Sequence, residues 1–284
     1  MKRLFVLGMM LSALVIRAQG PPPGGPGFGR PGIGGRGTGL IGGANAFVTG
    51  APFSAVEVVQ MQESLAEGNS IVKKYQTTVM RDSQGRLRTE ETVTPRSGSG
   101  KQPYIVATIL DFVGRTRIVL DSSTMSAYQT SLHAPSQARI QEMRRAIGAS
   151  SLVAGARTRS ENGASVVRST LAPQMVNGVL ATGSQYLETI PAGQIGNERP
   201  IQISRQTWVS NDLKLPVQIR SSDPRFGTTV MELTNIVQGE PSAANFVVPA
   251  GYTLKESRGL GFGGAGGLRG GGRPAGRRRD PSAQ

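Results

Sequence analysis

The chain has 284 residues, among them 39 glycines, 18 prolines and no cysteine, with a formal net charge of +14. Without cysteine there is no disulfide, no thiolate metal site, no cysteine nucleophile and no cysteine-borne lipid anchor. The length allows one domain with appendages, and a body of about 200 residues can bury enough apolar area to hold together by packing alone. The charge is uneven: residues 1–18 carry +3, 19–44 carry +2 and 253–284 carry +5, which leaves +4 on 45–252, so the basicity describes the ends more than the body.

Lys2 and Arg3 precede an apolar run from Leu4 to Ile16, and Ala18 follows it. This is the pattern of a secretory signal peptide over 1–18, with cleavage expected after Ala18. A membrane anchor needs about 20 apolar residues, and this run has 13 before Arg17. No other stretch is long enough to span a membrane. The mature protein is therefore expected in the periplasm or at the surface of a bacterial cell, without a transmembrane span.

Residues 19–50 are rich in glycine and proline and open on Pro21-Pro22-Pro23, with Phe28, Ile33, Leu40 and Ile41 isolated among them. They read as a disordered spacer unable to form a core, and the lack of a strict glycine triplet excludes collagen.

An antiparallel β domain is expected over 51–254. Period-two alternation marks strands at 53–65, 70–81 and 86–94, separated by tight turns at 66–69 and 82–85. Short turns imply antiparallel neighbours. After a polar loop come strands at 104–113, the most apolar of the chain, at 117–121 and at 125–130. Pro135 and Ser136 open a helix over 137–147, with Ile140, Met143 and Ile147 on one face and Gly148 suited to its cap; it is expected to cover one face of the sheet. Residues 149–163 read as a poorly ordered loop, and strands resume at 165–171. From Asn177 to Tyr252 runs a strand-and-turn meander, in which Leu215, Val217 and Ile219 alternate with Pro216, Gln218 and Arg220. From Thr253 the chain returns to glycine and arginine, and 255–284 read as a disordered tail.

Chemistry-bearing residues are sparse. His133 is the only histidine, in a loop beside Pro135, and the strained nucleophile turn of a Ser-His-Asp triad is missing. Asp82, Glu90, Glu91, Asp111 and Asp121 suit turns and strand edges rather than paired acid-base work. One histidine, no cysteine and no Asp-x-Asp-x-Asp-Gly spacing give no metal site, and no cofactor or catalytic residue is assigned. The candidate ligand or partner contacts are Trp208, which also suits a packing anchor; Arg225 and Phe226, in the turn Asp223-Pro224-Arg225-Phe226-Gly227; and Arg277, Arg278 and Arg279. These last resemble arginine-glycine segments that bind RNA, but export removes nucleic acid as a partner and leaves either an anionic envelope surface for the tail or a solubilising tail with no partner.

Asp82-x-x-Gly85-Arg86-x-Arg88, Ile190-Pro-Ala-Gly-x-Ile-Gly-Asn197, Trp208 with Ser210, Asp223-Pro-Arg-Phe-Gly227 and Phe246-x-x-Pro249-x-Gly-Tyr252 resemble an uncharacterised group of exported bacterial proteins. More distantly, the strand series ending in that last phrase is similar to the LolA/LolB-like superfamily of periplasmic lipoprotein carriers, over 50–254. The resemblance implies a mainly β (α+β) fold: a LolA-like curved antiparallel sheet or half-barrel with one or more covering helices and an apolar concavity, which holds acyl chains in the carrier members. It implies a non-enzymatic module that binds lipid or lipoprotein acyl chains. The alternative is a structural or interaction protein of the envelope acting through its basic tail.

Overall fold

The computed structural model describes residues 40, 48–132, 157–161 and 163–256, all within the unit Ile33–Gln284. They form a 13-stranded sheet of β1 (Phe53–Ser64), β2 (Ser70–Arg81), β3 (Leu87–Val93), β4 (Tyr104–Asp111), β5 (Thr116–Asp121), β6 (Ser126–Ser131), β7 (Arg157–Glu161), β8 (Ala164–Val176), β9 (Val179–Ile190), β10 (Ile201–Ser210), β11 (Leu215–Asp223), β12 (Gly227–Gln238) and β13 (Thr253–Glu256). Across the sheet the order is β13-β6-β5-β4-β3-β2-β1-β12-β11-β10-β9-β8-β7. Two meanders, β1 to β6 and β7 to β12, are thus joined where β1 pairs antiparallel with β12. Twelve strands are antiparallel, β13 adds to β6 in parallel, and the sheet is curved and unclosed.

One face curls onto itself. Phe53, Val79 and Leu87 from one half of the sheet share a buried cluster with Val176, Val179, Trp208, Val217 and Ile219 from the other. Two turns reach back to fix the curl. Asn177, between β8 and β9, donates from Nδ2 to the Leu233 carbonyl on β12 at 2.7 Å. Arg81, at the end of β2, donates to the Ala51 carbonyl from Nε at 3.0 Å and from Nη2 at 2.8 Å, and Nη2 also donates to the Leu213 carbonyl in the β10–β11 turn.

Three register shifts fall within strands of the second meander. The β8–β9 shift lies between Leu171 and Gln174, and the β10–β11 shift lies opposite Pro216. Proline cannot serve a regular central ladder and is tolerated at such bulges, so Pro173 and Pro216 sit where the ladder is already broken. The third shift, between β12 and β1, contains Asn235 at φ 52°. It brings both Leu233 and Ile236 onto the curled cluster, although three residues apart they would face opposite ways in a regular strand.

The opposite face of β2–β6 carries a second cluster of Ala107, Ile109, Leu120, Ala127 and Met80, covered by Phe246, Val248 and Tyr252. The closing Phe-Pro-Tyr phrase is therefore a cover strapped across this face. A 3-10 turn, Ala243–Phe246, is capped by Ser242 and held by Arg88, whose Nη1 donates to the Asn245 carbonyl at 2.9 Å.

Three sequence expectations are corrected. The loop expected over 149–163 contains β7, a polar edge strand without alternation that pairs with β8. The tail expected to begin at 253–255 starts with β13, which extends order to Glu256. Leu40, assigned to a coreless spacer, is fully buried in the curled cluster. The helix expected over 137–147 and His133 lie outside the described residues. Among the described residues the helical segments are short 3-10 turns, and no helix is long and apolar enough to cross a membrane.

Trp208 pairs in register with Gly183, and a Cβ there would collide with its ring. Gly183→Ala is expected to cost about 1–3 kcal/mol by overpacking and to shift the single-tryptophan emission to the red, measured by urea unfolding followed through fluorescence. Arg81→Met is expected to cost about 2–4 kcal/mol in the same assay, because it strands the Ala51 and Leu213 carbonyls.

Candidate functional site

The curled face is filled at one end and open at the other. Register places Leu233, Glu57 and Thr77 side by side on β12, β1 and β2. Glu91 on β3 follows, hydrogen-bonded to Thr77. On one side of this row lies the packed cluster with Trp208. Beyond it, Val59, Met61, Ile71, Tyr75 and Met231 continue the same face at alternate positions. These residues are half-buried or exposed, with Ile71 at 41% and Tyr75 at 43%. Period two therefore yields a shelf that is apolar apart from Lys73, Glu63 and Thr229 at the same alternate positions, and whose inner limit is a pair of carboxyl groups.

Glu57 is 5% exposed, and its Oε1 accepts the backbone N–H of Leu40 at 2.9 Å. Burial pushes its pKa up to about 7; the Leu40 hydrogen bond opposes this and neighbouring Glu91 adds to it. Glu91 is also raised by burial, with the Thr77 hydrogen bond opposing. A carboxyl in such surroundings holds its proton because the charged form loses hydration.

The sequence-predicted contacts are scattered. Trp208 is buried in the packed end and bears on Gly183. Arg225 and Phe226 sit at the β11–β12 turn, where Arg225 binds Asp223 through two hydrogen bonds of 2.9 and 2.7 Å and lies 5.2 Å from the Phe226 ring centre. Phe226 is 72% exposed and borders a small hollow of about 60 Å³ with Met61, Ile71 and Lys73 at the outer end of the shelf. Arg277, Arg278 and Arg279 lie outside the described residues. On the opposite face, Gln60, Gln62, Lys74, Arg220 and Glu232 line a polar groove of about 360 Å³.

Of the carboxylates weighed from sequence, Asp82, Asp111 and Asp121 accept backbone N–H groups in turns, as expected, and Glu90 pairs with Arg88. Glu91 differs, because it faces the shelf beside Glu57. Sequence reasoning missed Glu57, although its place in Phe53-x-Ala55-x-Glu57-x-Val59 set it on the buried face. Among the described residues no three His, Asp or Glu side chains converge as metal ligands.

No family model matches the chain, and no curated protein matches it. Solved structures do. An uncharacterised conserved protein from Thermus thermophilus is 10% identical over 75% of this chain and 93% of its own, with a TM-score of 0.36. A LolA superfamily protein from Nitrosomonas europaea is 13% identical over 72% and 93%, with a TM-score of 0.28. LprF from Mycobacterium bovis is 12% identical over 72% and 91%, with a TM-score of 0.31.

The raised pKa of Glu57 has a definite sign for stability. Unfolded, the carboxyl ionises near 4.5, whereas in the fold it keeps its proton to about 7. The folded state binds more protons between these values, so stability is full below 4.5 and falls as pH rises to about 7. Glu57→Gln keeps an acceptor oxygen for Leu40 and is expected to flatten this slope, a difference on the order of 3 kcal/mol between pH 4 and 8. Urea midpoints read by Trp208 fluorescence across that range measure it.

Proposed function

We propose that this chain is an exported, non-enzymatic envelope protein that binds an apolar or amphipathic ligand, such as a lipid or the acyl chains of a lipoprotein, on the open half of its curled face. The observation that carries this reading is the shelf itself. Val59, Met61, Ile71 and Tyr75 continue a buried face past the point where the described side chains cover it. An acyl chain laid there would gain about 0.8 kcal/mol for each CH₂ removed from water. Exposed Phe226 at the outer end extends the apolar track toward solvent.

The second reading is an envelope interaction protein acting through Arg277, Arg278 and Arg279. It draws support from the solid packing of the other half of the curled face and from the +5 charge on 253–284.

Native mass spectrometry of protein purified from the envelope tests the first reading. Lipid adducts are expected on the wild type, and Tyr75→Lys is expected to reduce them by setting a second cation on the shelf beside Lys73. A clean apo mass with no lipid in organic extracts would overturn the ligand reading, whereas loss of envelope association on deleting residues 258–284 with unchanged lipid content would assign attachment to the tail.

A further inference from the structure

We infer that Leu40 is the resident occupant of a subsite at the inner end of the shelf, and that the subsite takes an apolar group carried next to an N–H donor, in preference to an anionic amphiphile. This rests on the ligand reading above and names the chemistry that the same face selects.

Leu40 comes from a run of glycine steps, yet its side chain is wholly buried as a member of the curled cluster. Its backbone N–H meets the Glu57 carboxyl at 2.9 Å across 17 residues of chain. The two contacts define a recognition pair: apolar walls for the side chain and a carboxyl oxygen for the adjacent donor. A buried carboxyl left without a donor is costly, so whatever replaces Leu40 must bring an N–H or an amine. Glu91 stands next in the row, and with or without their protons the two acids offer no cation to a ligand ending in carboxylate or sulfonate, which would lose its hydration there without compensation. An amide-linked acyl group or a lipopeptide fits both requirements; a free fatty acid fits only the first.

Two fluorescent probes with the same ring system separate these chemistries: N-phenyl-1-naphthylamine, neutral with one N–H, and 8-anilino-1-naphthalenesulfonate, its anionic counterpart. The full chain and its Leu40→Ala variant are titrated with each. The neutral probe is expected to bind the variant about tenfold more tightly than the wild type, since the site is no longer self-occupied, and the sulfonate is expected to gain little. A synthetic peptide of residues 36–45 is expected to compete with the neutral probe on the variant.

Equal affinity of both proteins for the neutral probe would overturn the occupancy of Leu40 while leaving the ligand reading standing. No binding by either would remove both. An equal gain for the sulfonate would overturn the discrimination against anionic amphiphiles. A Leu40→Ala chain that is unfolded by its Trp208 emission would overturn the inference too, since Leu40 would then be part of the core and not a replaceable occupant.

Discussion

The curl of the sheet depends on a guanidinium used as a clasp. Arg81 is almost wholly buried, stacks 4.9 Å from the Phe53 ring centre and donates to carbonyls on two segments far apart in sequence, at Ala51 and Leu213. Burial lowers its pKa only to about 10, so it stays charged at neutral pH. A charge in an apolar interior is tolerated where hydrogen bonds meet it, and here Nε and Nη2 find acceptors on the two parts of the sheet that must be brought together, while Nη1 has none among the described residues. With the β10–β11 turn held over the end of β2, the described strands can bury a core as a single layer folded against itself.

Curvature and openness follow from that arrangement. The bulges near Pro173, Pro216 and Asn235 increase local twist in the second meander, which lets Trp208 and Val217 meet Phe53 and Leu87. Beyond Glu57 the ladders continue, but the residues of this face are half-buried or exposed. The apolar shelf and the two acids at its limit are thus consequences of where the clasp sits: close to one end of β1 and β2, leaving their other ends, toward Ile71 and Phe226, uncovered.

Much of this was legible in the residues. Alternation with Gly or Asn turns gave β1 to β6 nearly to the residue, because one-face burial imposes period two. The parts that were not legible lack that signature. Arg157-Thr158-Arg159-Ser160-Glu161 is polar throughout, so its pairing with β8 leaves no pattern. Thr253–Glu256 is held by four ladder positions with every residue exposed. Leu40 is one side chain among glycines, and its burial is settled by a contact with Glu57 that no local rule encodes. Trp208 suits both a contact and a packing anchor by its residue type, and its seat over Gly183 required the β9–β10 register.

The middle strands serve two interiors at once. Successive residues Val79 and Met80 on β2, and Ile109 and Leu110 on β4, point alternately to the curled cluster and to the one beneath Phe246. Backbone amides there are sheltered from solvent on both sides, whereas those near Ser64 and Ser70 border water. Opening of the molecule therefore has a built-in order: the outer ends of β1 and β2 can fray in isolation, while β2 to β4 release their protons only when both interiors come apart together. Motion near the shelf is in this way separated from the fate of the fold.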